Sequence, residues 1–168
     1  MAEDEIDYDF SDPKGPTPEK AKLGPPDRWM YCPPMATEVI GKHFLAFKTP
    51  LCSLYDSQVE KQYQFHPKDV FKKKLAGAEK GAKIGLWVDL TKTNRYYSHK
   101  EVERHNCLYK KLPLQGHGAT PTVAETKIFC DAVEEYLKCV CIPWYDVNSL
   151  IRRGFGDFFA CADYSAAL

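Results

Sequence analysis

The chain has 168 residues, 44% of them hydrophobic and 13% aromatic, with a formal net charge of zero; this suits one globular domain with a sizeable core and leaves no room for two. No apolar run reaches the roughly 18 residues of a membrane span, and the acidic start is unlike a secretory signal. Seven cysteines at irregular spacing, with no C-x-x-C pair, argue against a disulfide framework or a structural zinc site and for reduced thiols.

Residues 1–12 hold six acids (Glu3, Asp4, Glu5, Asp7, Asp9, Asp12) and no base, so a balancing +6 lies in the rest of the chain. Such a bias helps hold a polyanion, although cations that only solvate the surface would give the same count. Residues 1–27, acidic and then rich in proline and glycine, predict a disordered arm. Trp29–Pro33 and His43–Pro50 are aromatic and punctuated by proline, which predicts strands or extended layers against the core. Asp56–Tyr63 shows no clear period. His66–Leu75 predicts a helix, with Pro67 in its first turn and Val70, Phe71 and Leu75 on one face.

Gly77 and Gly81 bracket a turn into a strand over Lys83–Leu90, nearly continuously apolar as in a parallel strand buried on both faces. Asn106–Leu114 predicts a second strand. A loop containing Gly116, His117 and Gly118 follows. Thr122 and Glu125 then stand at the spacing of a capping box, and Phe129, Ala132, Val133, Tyr136 and Leu137 recur at helical spacing behind them. This alternation of helices and strands argues an α/β domain with a mostly parallel sheet. Such sheets carry their chemistry at the carboxyl ends of the strands, where Asp89 and the Gly116–Gly118 loop fall.

Several motifs in this order resemble a known family. They are Arg28 and Trp29 with Cys32 and Pro33, Phe47 to Leu51, Tyr55 to Val59, and Phe65 to Pro67. Further on come Val88 to Thr91 with Asn94 to Tyr97, and Tyr109, Lys111 and Leu112 with Gly116 to Gly118, then Pro121 and Thr122. From about Pro26 to Lys138 the chain resembles the RNA 5′-triphosphatase domain of animal mRNA-capping enzymes. The resemblance implies a cysteine-phosphatase-like α/β fold, a mostly parallel sheet flanked by helices. It also implies removal of the γ-phosphate from the triphosphate end of nascent RNA, in the nucleus, beside the transcription and capping machinery, with no metal or other cofactor and no membrane.

In that family the nucleophile lies in a His-Cys-x-x-Gly-x-x-Arg-Thr-Gly loop. Backbone N–H groups and the arginine surround the phosphate and favour a cysteine thiolate. Cysteine and arginine must then stand six positions apart. Six positions after the seven cysteines stand Glu38, Gln58, Pro113, Tyr136, Tyr145, Val147 and Ala167, and none is arginine. The expectation is therefore a family member truncated before its catalytic loop: a partial domain over 28–138, incomplete at its C-terminus and marginally stable, then a divergent tail over 139–168. As written it would be inactive. The alternatives are a non-catalytic binder of RNA 5′ ends or of a capping partner, and a cysteine phosphatase of another kind.

Four residues are candidates for the pocket. Asp89 could orient pocket groups or a basic side chain, or only cap the following turn. Arg95 could face phosphate, or pack at the surface against Tyr96. His117 and Gly118 stand where other cysteine phosphatases carry an aspartic general acid; His117 could donate a proton, bind, or have no role. Residues 139–142 could form the strand that leads into the missing loop, and Cys107 and Cys130 read as buried thiols.

Overall fold

The computed structural model describes residues 15–26, 28–41, 43–72, 82–116 and 119–139. Its centre is a pair of short parallel strands, β1 (Leu86–Asp89) and β2 (Leu108–Lys111), joined through the five-residue helix α3 (His99–Glu103). Before them come α1 (Pro18–Ala21), 3-10 turns at Trp29–Tyr31 and Ser53–Gln58, and α2 (Pro67–Lys72); after them comes the long helix α4 (Val123–Cys139). The parallel pairing and the flanking helices make this an α/β fold. Both strands are shorter than the runs read from the sequence, although backbone bonds from Leu112 N to Asp89 O at 2.8 Å and from Leu114 N to Leu90 O at 3.0 Å continue past them.

In the register Trp87 faces Tyr109 and Asp89 faces Lys111. Alternation along a strand sends these four side chains to one face and Leu86 and Val88 to the other. The first face meets the aromatic core around Trp87, which is 1% exposed. Phe47 packs edge-on to Trp87 at 4.5 Å between ring centroids, and Phe71 of α2 stacks on it at 5.7 Å. The second face meets α4: Val88 packs with Leu90, Leu112, Leu114, Ile128 and Phe129, and Leu86 with Val133 and Leu137. β1 is therefore covered on both sides, as a near-continuous apolar run expects, but only Trp87 and Asp89 are fully buried.

Tyr136 of α4 sets its hydroxyl directly against Gly85, in the space a β-carbon there would take. Glycine at 85 thus permits the close approach of helix and strand. α4 begins as the sequence expects. Thr122 Oγ1 accepts from Glu125 N at 3.2 Å while Glu125 Oε2 accepts from Thr122 N at 2.7 Å, a reciprocal capping box.

Other local readings change. Trp29–Tyr31, expected as strand or extended layer, is a 3-10 turn entered through Arg28 in the left-handed region, φ 56°. Trp29 is buried there because its indole N–H donates to Thr49 O at 2.7 Å and the Lys48 ammonium sits 3.6 Å over its ring. Residues 43–50 are extended as expected, with single bridges pairing Met35 with Phe47 and Ile40 with Phe44. The stretch without a period begins inside the 3-10 turn Ser53–Gln58, whose Tyr55, just before that stretch, is fully buried. Of the arm expected over 1–27, residues 15–26 are described. Thr17 caps α1 there, Ala21 is buried, and Gln58 Nε2 donates to Ala21 O at 3.0 Å. Cys107 is buried whereas Cys130 is only half-buried, and the five described cysteines are free thiols. Cys139 closes α4; the strand expected over 139–142 otherwise falls, with the tail to 168, outside the described residues, as does the turn at Gly77 and Gly81. No described helix is long and apolar enough to cross a membrane.

Candidate functional site

Asp89 closes β1 at its carboxyl end and is 4% exposed. A carboxylate there must be matched by donors, since an unpaired buried charge costs several kcal/mol. Five donors meet it. Oδ1 accepts from the Thr91 backbone N–H at 2.8 Å and from the Thr91 hydroxyl at 2.7 Å. Oδ2 accepts from the Tyr97 hydroxyl at 2.7 Å and the Tyr109 hydroxyl at 2.6 Å, and pairs with Lys111 Nζ at 3.1 Å.

Each partner arrives for a structural reason. Thr91 lies two residues on, in the turn position where aspartate bonds forward to its own backbone. Lys111 stands opposite Asp89 in the parallel register, with Tyr109 on the same face. Tyr97 is held by Trp87, whose indole N–H donates to the Tyr97 hydroxyl at 2.9 Å. Burial and then the neighbouring Asp89 push the Tyr109 hydroxyl well above the usual tyrosine range, so it stays a donor. Asp89 thus accepts from the backbone of the turn that follows it and pairs with the Lys111 ammonium.

The loop after β1 is fastened to the end of β2. Lys111 Nζ also donates to Thr91 Oγ1 at 2.7 Å and Thr93 O at 3.0 Å, and Lys92 Nζ donates to Gln115 Oε1 at 2.6 Å. Arg95 follows in this loop. Its carbonyl accepts from the buried Tyr55 hydroxyl at 2.9 Å, which anchors the backbone to the core. Its guanidinium lies 4.7 Å over the Tyr96 ring and donates through NH2 to the Tyr96 hydroxyl at 2.9 Å. The packing against Tyr96 is thus present. NH1, however, is buried with no hydrogen-bond partner among the described residues. A buried cationic donor left in this state is rare and points to an acceptor.

Asp89 at the end of β1 and Arg95 in the loop that follows it therefore both lie at the carboxyl end of the sheet. His117 and Gly118 lie outside the described residues, although Gly116 beside them is described and carries a φ of 67°. Thr91, Tyr97, Tyr109 and Lys111 stand in the motifs quoted from the sequence but are not singled out there as pocket residues. Strand register brings Tyr109 and Lys111 to Asp89, and the bond from Trp87 holds Tyr97 there. Among the described residues no group of three His, Cys, Asp or Glu side chains is placed to hold a metal. What the arrangement offers is a fixed cationic rim.

No family model matches the chain. Over 126 residues, 74% of its length, the chain is 48% identical to the mRNA-capping enzyme of Caenorhabditis elegans, of which it spans 20%. It is 38% identical over 133 residues to the mRNA-capping enzyme of Mus musculus, covering 77% of the chain and 22% of that protein. It is also 32% identical over 125 residues to the RNA/RNP complex-1-interacting phosphatase of Rattus norvegicus, covering 74% of the chain and 37% of that protein. The chain thus spans about a fifth of the length of the capping enzymes it matches.

Proposed function

We infer that this chain carries the phosphatase-like domain of the mRNA-capping enzyme family and that its ligand is the 5′-triphosphate end of RNA. The observation that carries this reading is the likeness to capping enzymes over three quarters of the chain, which takes in the whole loop from Asp89 to Tyr97. The geometry supports it physically. A triphosphate needs cationic donors in a fixed arrangement, and the loop after β1 supplies Lys92 and Arg95 on a backbone fastened by Asp89, Lys111 and Tyr55.

The reaction proposed for the complete family site is attack by a cysteine thiolate on the γ-phosphorus, which leaves a diphosphate end. That step needs a cysteine and an arginine six positions apart, and the 168 residues hold no such pair. The domain as it stands binds the triphosphate end without cleaving it, in the nucleus and close to the machinery that makes and caps transcripts.

Binding of one oligoribonucleotide in its 5′-triphosphate and 5′-hydroxyl forms tests this reading, with release of labelled γ-phosphate followed in parallel. The triphosphate form binds more tightly, with an affinity that falls as salt rises. Arg95→Ala removes most of the preference between the two ends. No phosphate is released. Equal affinity for both ends overturns the binding reading, and steady release of γ-phosphate overturns the non-catalytic one.

A further inference from the structure

The chain holds three Thr-Pro dipeptides, at Thr17, Thr49 and Thr120, and the fold treats them differently. Thr49 is 6% exposed and Pro50 is among the most deeply buried side chains, so no enzyme reaches that hydroxyl in the folded chain. Thr120 is exposed, but the third residue after it is Val123. Thr17 is followed by Pro18, Glu19 and Lys20, and none of residues 15–20 is buried. Of the three, Thr17 alone combines a hydroxyl outside the core with a base at the third following position.

That combination has a chemical meaning. A pocket shaped for proline selects it because any other residue would bring in a backbone N–H that finds no partner there. A base further along the segment adds a second discrimination, by charge. Kinases that act on Thr-Pro-x-Lys segments read both features, and they take the acceptor in extended form. Thr17 already has extended backbone, with φ −121° and ψ 157°. Its hydroxyl accepts from the Lys20 backbone N–H at 3.3 Å, a cap on the four-residue α1. That helix buries one side chain, Ala21, and Gln58 Nε2 donates to Ala21 O at 3.0 Å. A segment with so little buried opens locally at low cost.

We propose that Thr17 is the acceptor for a proline-directed kinase that selects a base at the third following position, and that its phosphate weakens binding of RNA 5′ ends. The second half rests on the reading of the loop after β1 as the RNA-end site; the first does not. In the transfer, Thr17 Oγ1 attacks the γ-phosphorus of Mg²⁺-bound ATP, and the bond from that phosphorus to the bridging oxygen breaks. ADP leaves with the electron pair, and the hydroxyl proton passes to a carboxylate of the kinase. The new group carries about −1.5 to −2 charge at pH 7. It would lie close to the site. A β-carbon at Gly15 would stand 3.8 Å from Ser98 Cβ and 3.9 Å from Ser98 Oγ, and Ser98 ends the loop that holds Lys92 and Arg95. Two residues of chain, from Gly15 to Thr17, span at most about 7 Å. A dianion there repels an incoming triphosphate, and exposed charges are screened within roughly 8 Å at physiological ionic strength, so the effect is greatest at low salt.

The test incubates the full chain and its Thr17→Ala and Lys20→Ala variants with a cyclin-dependent kinase, Mg²⁺ and ATP, and maps the modified residues by mass spectrometry. Phosphate is expected on Thr17 and not on Thr49, and its appearance on Thr120 should be about tenfold slower or more. Thr17→Ala should remove most of the incorporation, and Lys20→Ala should slow it about tenfold. Thr120 modified as fast as Thr17, or no phosphate on Thr17, overturns the site. The phosphorylated and unmodified chains are then titrated with a 5′-triphosphate oligoribonucleotide. The phosphorylated chain should bind about threefold or more weakly at low salt, a difference that closes at high salt. Equal affinity in two forms that both bind overturns the effect on RNA. Phosphate on Thr17 with no RNA binding by either form leaves the site standing and removes the proposed ligand instead.

Discussion

With five donors on its two oxygens, Asp89 holds Thr91, Tyr97, Tyr109 and Lys111 in place around the end of β1. Asp89→Asn turns an amide toward hydroxyls and an ammonium that all donate, and leaves Lys111, with 11% side-chain exposure, without its counter-charge. Breaking one side of a buried pair costs about 3–5 kcal/mol. Urea unfolding of Asp89→Asn is expected to show a loss of that order. Lys111→Met combined with it should lose clearly less than the sum of the two single changes, because the two residues share one interaction. The carboxylate itself was legible in the sequence, since an acid closing an apolar run sits at a strand end. Its partners were not, because Tyr109 lies 20 residues further along the chain and no local pattern joins the two. Arg95 was legible only as two alternatives, and the fold realises the packing on Tyr96 while leaving one nitrogen unpartnered.

Among the elements, α4 was the most legible, because its capping box and apolar stripe are both written into consecutive turns. α3 escaped notice for the opposite reason. Five residues with a single buried side chain, Val102, cannot display a period. The 3-10 turn at Trp29 was read as extended because the indole's partners, the Thr49 carbonyl and the Lys48 ammonium over its ring, come from another segment. The contact between α4 and β1 invites a direct test. In Gly85→Ala the new methyl group meets the Tyr136 hydroxyl, so helix and strand must part. Overpacking of this kind costs about 1–3 kcal/mol. Thermal unfolding should show Gly85→Ala destabilised and the added Tyr136→Phe restoring part of the loss, whereas Tyr136→Phe alone should change little.

Across the whole molecule, the buried ionisable groups set a limit on alkaline stability. Burial pushes the Cys107 thiol from 9.0 up to about 11 and the Tyr55 hydroxyl from 10.0 up to about 12. Between the ordinary and the raised value the folded chain keeps a proton that the unfolded chain gives up, so stability falls as pH rises. The melting temperature is expected to hold steady up to about pH 8.5 and to fall from there through pH 12. Cys107→Ala should make the first part of that fall shallower without moving its start, because burial also raises the thiols of Cys52 and Cys130. The spacing of contacts along the chain carries a consequence for the order of folding. β1, α3 and β2, with the donors around Asp89, all lie within residues 86–111. Trp29 and α4 must instead be recruited from either side. Short loops close at the smallest entropic cost, so the β1–α3–β2 unit is expected to form the transition-state nucleus. Rate measurements should then give Val102→Ala a φ-value close to 1 and Leu137→Ala a value close to 0, with the second change acting on the unfolding rate alone.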